Sequence, residues 1–481
     1  MELVTKKAMK CIQEADVIVY DNLIDISLLN CASLNTELIY AGKEAANHYL
    51  SQGSIIELLM DKAREGKYVV RLKGGDPYLF GRGSEEALAL KEAGISYEVV
   101  SGVTSSIAVP AYAGIPVTDR RFVSSCHIIT AHREDEAGID FENISKLEGT
   151  LVFMMGLAKL HHIVQGLTLH SKASDAPVAV LSDGSRYNRR KCVGTLADIE
   201  EKVKGAKLLP PAIIVVGEVV SLSNELDNFL ERYSDKKLFR KKILLTGTRY
   251  ICNKIKVALA DEGCDIDEIS IIESVPIESD FYNNIEKYIE SHDYLVFSSA
   301  NGIRVFFEKL KELHNVDLRK LSNIKFAVIG KGSAQTLRNY GYIADFVPSS
   351  FSNKDLAVEL CKQLKGEKLL LLRAREASTE LVEELEANKV EYTDVSLYET
   401  FRDYRRTFDI KRLIKNYDYV VVASGITAHT LCEMVEDKAL LEGRVVSIGP
   451  VTTGTCKRLG VEPLMSAREY SVDGIVRVLL Q

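Results

Sequence analysis

The chain has 481 residues, of which 46% are hydrophobic and 27% charged, with 31 Gly and only 10 Pro. That length predicts roughly two to four domains, and the composition excludes long disorder, a collagen-like fibre and a disulfide-stapled miniprotein. A formal net charge of −7, from 61 basic and 68 acidic side chains, argues against a general nucleic-acid binder but not against an anionic substrate met on a local basic patch. No apolar run approaches the ~18–20 residues of a membrane helix. The start at Met1-Glu2-Leu3 lacks a basic segment followed by an apolar core, so no signal peptide is expected. The nine cysteines stand singly, without Cys-x-x-Cys or Cys/His ligand spacing; no metal site and no disulfide framework are expected, and a reduced, cytoplasmic setting fits.

In chain order, short β-branched runs at 17–20, 69–72, 151–153, 213–216 and 243–245 alternate with longer amphipathic stretches such as 53–66. The alternation predicts an α/β protein with mainly parallel sheets. A charged segment, 221–242, reads as a helix plus linker, and a fresh strand opens at Lys242. The part beyond it repeats. Lys242-Ile243-Leu244-Leu245 matches Lys368-Leu369-Leu370-Leu371, and Arg249 matches Arg375, both at a spacing of 126 residues. Asp293-Tyr294-Leu295-Val296 matches Asp418-Tyr419-Val420-Val421, Phe326-Ala327-Val328-Ile329-Gly330 matches Val445-Val446-Ser447-Ile448-Gly449, and Phe351-Ser352 matches Tyr470-Ser471. Four matched blocks in order predict two similar α/β units with a ligand cleft between lobes.

In the first half, Arg71-Leu72-Lys73-Gly74-Gly75-Asp76-Pro77 follows a predicted strand. Paired glycines at a strand's carboxyl end let backbone approach a ligand closely, and that end is where open α/β sheets bind. The run continues through Tyr78-Leu79-Phe80-Gly81-Arg82-Gly83-Ser84-Glu85-Glu86, and downstream come Ser101-Gly102-Val103-Thr104-Ser105-Ser106 and Gly114-Ile115-Pro116-Val117-Thr118. With Tyr20-Asp21-Asn22-Leu23-Ile24, Gly42-Lys43, Met154-Met155-Gly156 and Pro211-Ala212-Ile213-Ile214, these strings make residues 2–222 resemble the uroporphyrinogen-III C-methyltransferases of the tetrapyrrole methylase family. The resemblance implies two α/β subdomains with S-adenosylmethionine between them, transfer of two methyl groups to uroporphyrinogen III, and a homodimer. It implies that Gly74, Gly75, Asp76, Leu79, Thr104, Ser105, Met155 and Gly184 contact the cofactor. It further implies Asp21 as proton acceptor, Lys43 as proton donor, and Arg82 and Glu85 in substrate handling. The substrate is a polycarboxylate, so Arg120, Arg121, Arg133, Arg186, Arg189 and Arg190 are candidate partners, with His132 beside them. The family pattern opens with a glycine-rich strand and loop, Gly-x-Gly-Pro-Gly-Asp, ahead of the segment at which this chain begins. Two expectations compete: a start placed too far downstream, or a methyltransferase half that has lost its activity.

Residues 241–481 resemble uroporphyrinogen-III synthase through spaced short motifs. These are Phe297-Ser298-Ser299-Ala300-Asn301-Gly302, Ile329-Gly330-Lys331-Gly332-Ser333, Leu397-Tyr398-Glu399-Thr400, Ser447-Ile448-Gly449-Pro450-Val451-Thr452-Thr453 and Tyr470-Ser471-Val472-Asp473-Gly474. The resemblance implies one lobe from 241–274 plus 401–481 and another from 275–400, with 223–240 as linker. It implies cofactor-free closure of hydroxymethylbilane with inversion of the last ring. Tyr398 matches the residue assigned as general acid, and Ser298, Ser299, Ser333, Ser424, Thr452 and Thr453 match substrate-binding positions. Hydroxyls and free amides at helix starts suit carboxylates, and each such Ser or Thr is equally a helix cap. The two resemblances interlock, because the synthase product is the methyltransferase substrate. The expectation is a bifunctional enzyme on small-molecule tetrapyrroles, serving sirohaem or corrinoid synthesis. The alternatives are a synthase alone with a silent first half, and a tetrapyrrole-binding protein without turnover.

Overall fold

The computed structural model describes residues 2–42, 50–131, 138–313, 317–350 and 352–481. The first half contributes β1 (Val17–Tyr20), β2 (Glu37–Tyr40), β3 (Val69–Leu72), β4 (Cys126–Thr130), β5 (Thr150–Met154), β6 (Pro177–Ser182), β7 (Arg190–Thr195) and β8 (Ala212–Val216). The second contributes β9 (Lys242–Leu245), β10 (Asp265–Glu268), β11 (Ile272–Pro276), β12 (Tyr294–Phe297), β13 (Lys325–Val328), β14 (Leu369–Ala374), β15 (Tyr392–Arg402), β16 (Tyr419–Val422), β17 (Val445–Ser447) and β18 (Met465–Ser466). All five strand runs expected from sequence are strands, and the amphipathic stretch at 53–66 is the helix Gln52–Arg64, opened by the Ser51 hydroxyl, which accepts from the Ser54 amide.

The chain divides into two compact units. One is Met1–Ile269, Arg405–Ala423 and Met434–Gln481; the other is Ser270–Tyr404 and Ser424–Glu433. The first unit holds three sheets. In one, parallel strands run in the order β2-β1-β3, and the central β1 is buried along its whole length. A second runs β4-β5-β8-β6-β7. Pairing is mainly parallel across the four sheets, as expected, but this sheet departs from it: its β5–β8, β8–β6 and β6–β7 pairs are antiparallel. The connection from β6 to β7, residues 183–189, is too short for the crossover that a parallel neighbour needs. The third sheet, β10-β9-β16-β17-β18, is wholly parallel.

The second unit holds one sheet, β11-β15-β14-β12-β13, parallel except for β11. Its β14 is buried on both faces, so Leu369, Leu370, Leu371 and Leu372 are all inaccessible, each stabilising by about 1.5–3 kcal/mol. The sequence repeat reappears in the strand orders: β9, β16 and β17 are consecutive neighbours in one sheet, as their matched strands β14, β12 and β13 are in the other. The blocks are contiguous in sequence but interleaved in the sheets, since β9 pairs with strands from the far end of the chain. Residues 223–240, expected as a linker, form the short helices Ser223–Leu226 and Phe229–Tyr233, with Phe229, Tyr233 and Leu238 buried.

Candidate active sites in the two halves

The glycine run after β3 is built for close approach. Gly75 has φ +76, and a Cβ there would meet only Thr104 Cα and Val103 O, at 3.9 Å, so its open face fits a ligand laid against backbone. Gly74 packs on the turn after β1: a Cβ would fall 2.9 Å from Leu23 O. Asp76 binds two loops together. Its Oδ1 accepts from the Tyr78 amide at 2.9 Å, and its Oδ2 accepts from the Gly102 amide at 3.1 Å and from the Ser101 hydroxyl. Those donors hold the Asp76 carboxyl below the usual carboxylate range, the Ser101 bond most of all. Leu79 continues the same turn through its amide to Asp76 O at 3.2 Å.

Thr104 caps the helix Ser105–Tyr112, and that helix reaches the second sheet. Its Val109 fills the space beside Gly184, where a Cβ would lie 2.2 Å away. Because β5 and β6 are both antiparallel to β8, their carboxyl ends share one sheet edge, which places Met155 and Gly184 together there. Four of the nine non-glycine residues with positive φ among the described residues lie here. Among the described residues, Phe80, Arg82, Met155 and Asp183 are non-glycine residues with φ between 50° and 58°, each at or beside an expected site residue.

Asp21 follows β1. Its Oδ1 accepts from the Leu23 amide at 3.0 Å, and its Oδ2 lies 3.6 Å from Arg71. Arg82 and Glu85 form a two-pronged pair at 2.9 and 2.8 Å that lowers the Glu85 pKa. Lys43, His132 and Arg133 lie outside the described residues. Two expected arginines are already committed: Arg121 to Asp119 at 3.0 Å, and Arg186 to Asp267 at 3.3 Å. Arg189 instead borders a cavity of about 390 Å³ beside Gly184, which Arg190, Lys191 and Arg240 also line against one carboxylate, Asp227. Its guanidinium sits 3.6 Å from the Phe229 ring centroid, and burial pushes its pKa down. An anion would relieve that concentration of positive charge.

Sequence reasoning chose Glu85 and missed Glu86. Glu86, 5% exposed, receives Lys73 Nζ at 3.0 Å, Arg71 Nε at 3.4 Å and Gln52 Nε2 at 3.1 Å. Burial and the Arg71 charge push the Lys73 ammonium down against the pull of Glu86. The available signal was the alternation Arg71-Leu72-Lys73, which puts both cations on one face of the strand end.

In the second unit, Tyr398 is 6% exposed on β15. The β14–β15 register skips from Arg373↔Ser396 to Ala374↔Tyr398, a bulge that buries the consecutive residues Leu397 and Tyr398. The Tyr398 hydroxyl is 2.8 Å from that of Ser299, which caps the helix Ala300–Glu312 by accepting from the Gly302 amide at 3.0 Å. Burial raises the Tyr398 pKa, partly offset by Ser299 and by the Arg304 charge. Ser298 precedes the same helix, and Ser333 is buried within the helix Lys331–Arg338. Ser424 receives the Thr427 amide at 3.1 Å ahead of the helix Gly425–Val435. In the first unit, Thr452 is buried and Thr453 bonds Ser447 and Ser466, both at 2.6 Å.

Residues 1–200 match the family model of the tetrapyrrole (corrin/porphyrin) methylases, and residues 253–477 match that of uroporphyrinogen-III synthase HemD. The chain is similar to a porphyrin biosynthesis protein HemD of Ruminiclostridium josui, 34% identical over 486 residues, covering 100% of this chain and 95% of that one. Its first half is similar to a uroporphyrinogen-III C-methyltransferase of Methanocaldococcus jannaschii, 48% identical over 223 residues, which covers 46% of this chain and 92% of the relative. It is also similar to an S-adenosyl-L-methionine-dependent uroporphyrinogen III methyltransferase of Methanosarcina barkeri, 49% identical over 228 residues, with coverage of 47% and 89%.

Proposed function

We propose, from the premise that this chain belongs to the tetrapyrrole methylase family in its first half and to the uroporphyrinogen-III synthase family in its second, that it closes hydroxymethylbilane to uroporphyrinogen III and methylates that product twice to precorrin-2. The observation that carries this reading is that one chain matches both family models, over residues 1–200 and 253–477, and is alike end to end to a porphyrin biosynthesis protein.

In the synthase half, the Tyr398 phenol gives its proton to the departing hydroxyl, the carbon–oxygen bond breaks, and water leaves. We take the Ser299 hydroxyl, 2.8 Å away, as the donor of the bond it shares with the phenol oxygen, which keeps the phenol proton free for transfer. Ser298, Ser333, Ser424, Thr452 and Thr453 hold substrate carboxylates.

In the methyltransferase half, S-adenosylmethionine supplies an activated methyl on sulfur. Gly74, Gly75, Asp76, Leu79, Thr104, Ser105, Met155 and Gly184 hold and orient it. The open face at Gly75 fits such a ligand, and alignment is the main contribution the residues make. The methylated carbon carries a side chain and no hydrogen, so the charge gained with the methyl is balanced by a proton lost elsewhere on the macrocycle; Asp21 accepts that proton, Lys43 is the donor at a second position of the ring system, and Arg82 with Glu85 orients the substrate. The cations around Arg189 suit a polycarboxylate. We read the active species as a cytoplasmic homodimer built on the methyltransferase half. Leu88, Ile107 and Phe122 are exposed on this half, and no helix among the described residues is long and apolar enough to cross a membrane.

The test supplies purified chain with enzymatically generated hydroxymethylbilane and S-adenosylmethionine and separates the products. Isomer III with dimethylated product is expected. Isomer III alone would select a synthase joined to a silent methyltransferase, and neither product would overturn the reading.

A further inference from the structure

We propose that the helix Thr407–Leu413, from the synthase half of the sequence, is a positioning element of the methyltransferase: its Asp409 and Arg412 hold the two residues that flank Asp21. The inference rests on the function proposed above. Tyr20 closes β1, and its phenol lies 3.1 Å from each oxygen of Asp409. Asn22, on the other side of Asp21, accepts from Arg412 Nη1. Arg412 also bonds Asp409 at 3.4 Å and lies 4.6 Å from the Tyr40 ring on β2. One helix therefore restrains the backbone on both sides of the candidate proton acceptor.

The Asp409 side of the clamp is deeply buried, whereas Asn22 is exposed. Asp409 is 0% and Arg406 1% exposed, and Arg406 Nε bonds Asp409 at 3.1 Å. Arg406 extends the connection, with Nη1 to Asn30 Oδ1 at 2.6 Å and Nη2 to Ile26 O at 3.2 Å. Burial and the Asp409 charge push the Tyr20 phenol far up, so it remains a donor at every working pH. Buried ion pairs are about neutral for stability against apolar packing of the same volume, so what this network supplies is geometry. Among the described residues, Asp21 is held by the Leu23 amide at 3.0 Å and by Arg71 at 3.6 Å. A base displaced by about 1 Å can lose 10²-fold in rate. Asp409 and Arg412 do not touch substrate in this scheme; they act through Tyr20 and Asn22.

The experiment uses the full chain with Tyr20→Phe, which keeps the ring and removes the hydroxyl, and with Asp409→Asn. Methyl transfer from supplied uroporphyrinogen III and closure of hydroxymethylbilane are measured on the same preparations, below their unfolding transitions. The expected result is a fall of about 10- to 100-fold in methyl-transfer kcat, with KM for S-adenosylmethionine and the closure rate both within about twofold of wild type. Retained kcat, or an equal fall of both activities, would overturn the proposal. Amide hydrogen exchange reads the same placement without turnover. The Leu23 amide is expected to exchange at least about tenfold faster in either variant while the β3 amides stay unchanged, and an unchanged Leu23 rate would overturn the clamp. A wild-type chain without methyl transfer that still showed faster Leu23 exchange in the variants would sink the proposed function and support the clamp.

Discussion

Tyr398 shows how much one side chain's chemistry depends on its surroundings. Its phenol is buried and its pKa raised, so the proton-bearing form persists through neutral pH. The sign is that of any raised acid: the donor form is complete below the ordinary phenol pKa and is lost only as pH climbs through the higher folded value. Closure by this residue should then show no descending limb below about pH 10, a profile that initial rates across buffers would check. Tyr398→Phe should slow formation of isomer III by about 10²-fold or more while leaving methyl transfer intact, read as isomer III per unit time. Equal rates in the variant would remove Tyr398 from the acid role. Sequence could single out this tyrosine through its motif, because Ile272 occupies the matching place in the other repeat. The serine partner and the bulge that bury it come from pairing between distant strands.

At the scale of the element, the loop after β3 and the loop before the helix Ser105–Tyr112 act as one piece. A Cβ on Gly102 would lie 2.3 Å from Gly75 O, so Gly102→Ala must push the two backbones apart. We expect a cost of about 1–3 kcal/mol and, through Gly75 and Thr104, roughly tenfold weaker binding of S-adenosylmethionine, measured by titration calorimetry. Gly205 is the contrast. It lies in the helix Ile199–Ala206 with open space around it, so Gly205→Ala should stabilise by about 0.5–1 kcal/mol in chemical denaturation and leave binding unchanged. The glycines were legible as a loop signature. Which of them faces open space and which touches backbone was not, because that depends on how residues 99–104 return against residues 74–76.

At the scale of the whole chain, the boundary drawn in sequence near residue 223 does not separate two independent bodies. One compact unit takes in the methyltransferase half together with β9, β10 and the strands β16 to β18. Polar contacts run through its interior: Arg406 to Asn30, Tyr20 to Asp409, and the Tyr187 amide to Asp265 at 2.8 Å. Removing one member of such a buried set leaves charge uncompensated. Arg406→Met should therefore destabilise this unit by about 3–5 kcal/mol, seen as an earlier denaturation midpoint monitored by probes in both halves. A transition confined to the second half of the sequence would contradict that cohesion.

The amino-acid sequence by itself determined the α/β class, the principal strand runs, the repeat and both family memberships. Each of these is written in local periodicity or in contiguous motifs, which need no knowledge of distant contacts. Tertiary structure decided the rest. It chose Glu86 rather than Glu85 for the buried ion network, committed Arg186 to Asp267, and set Asp409 beside Tyr20. The physical reason is that burial and charge pairing are properties of surfaces brought together. Tyr20 and Asp409, 389 positions apart in the chain, carry no mark of one another until β1 and the helix Thr407–Leu413 meet.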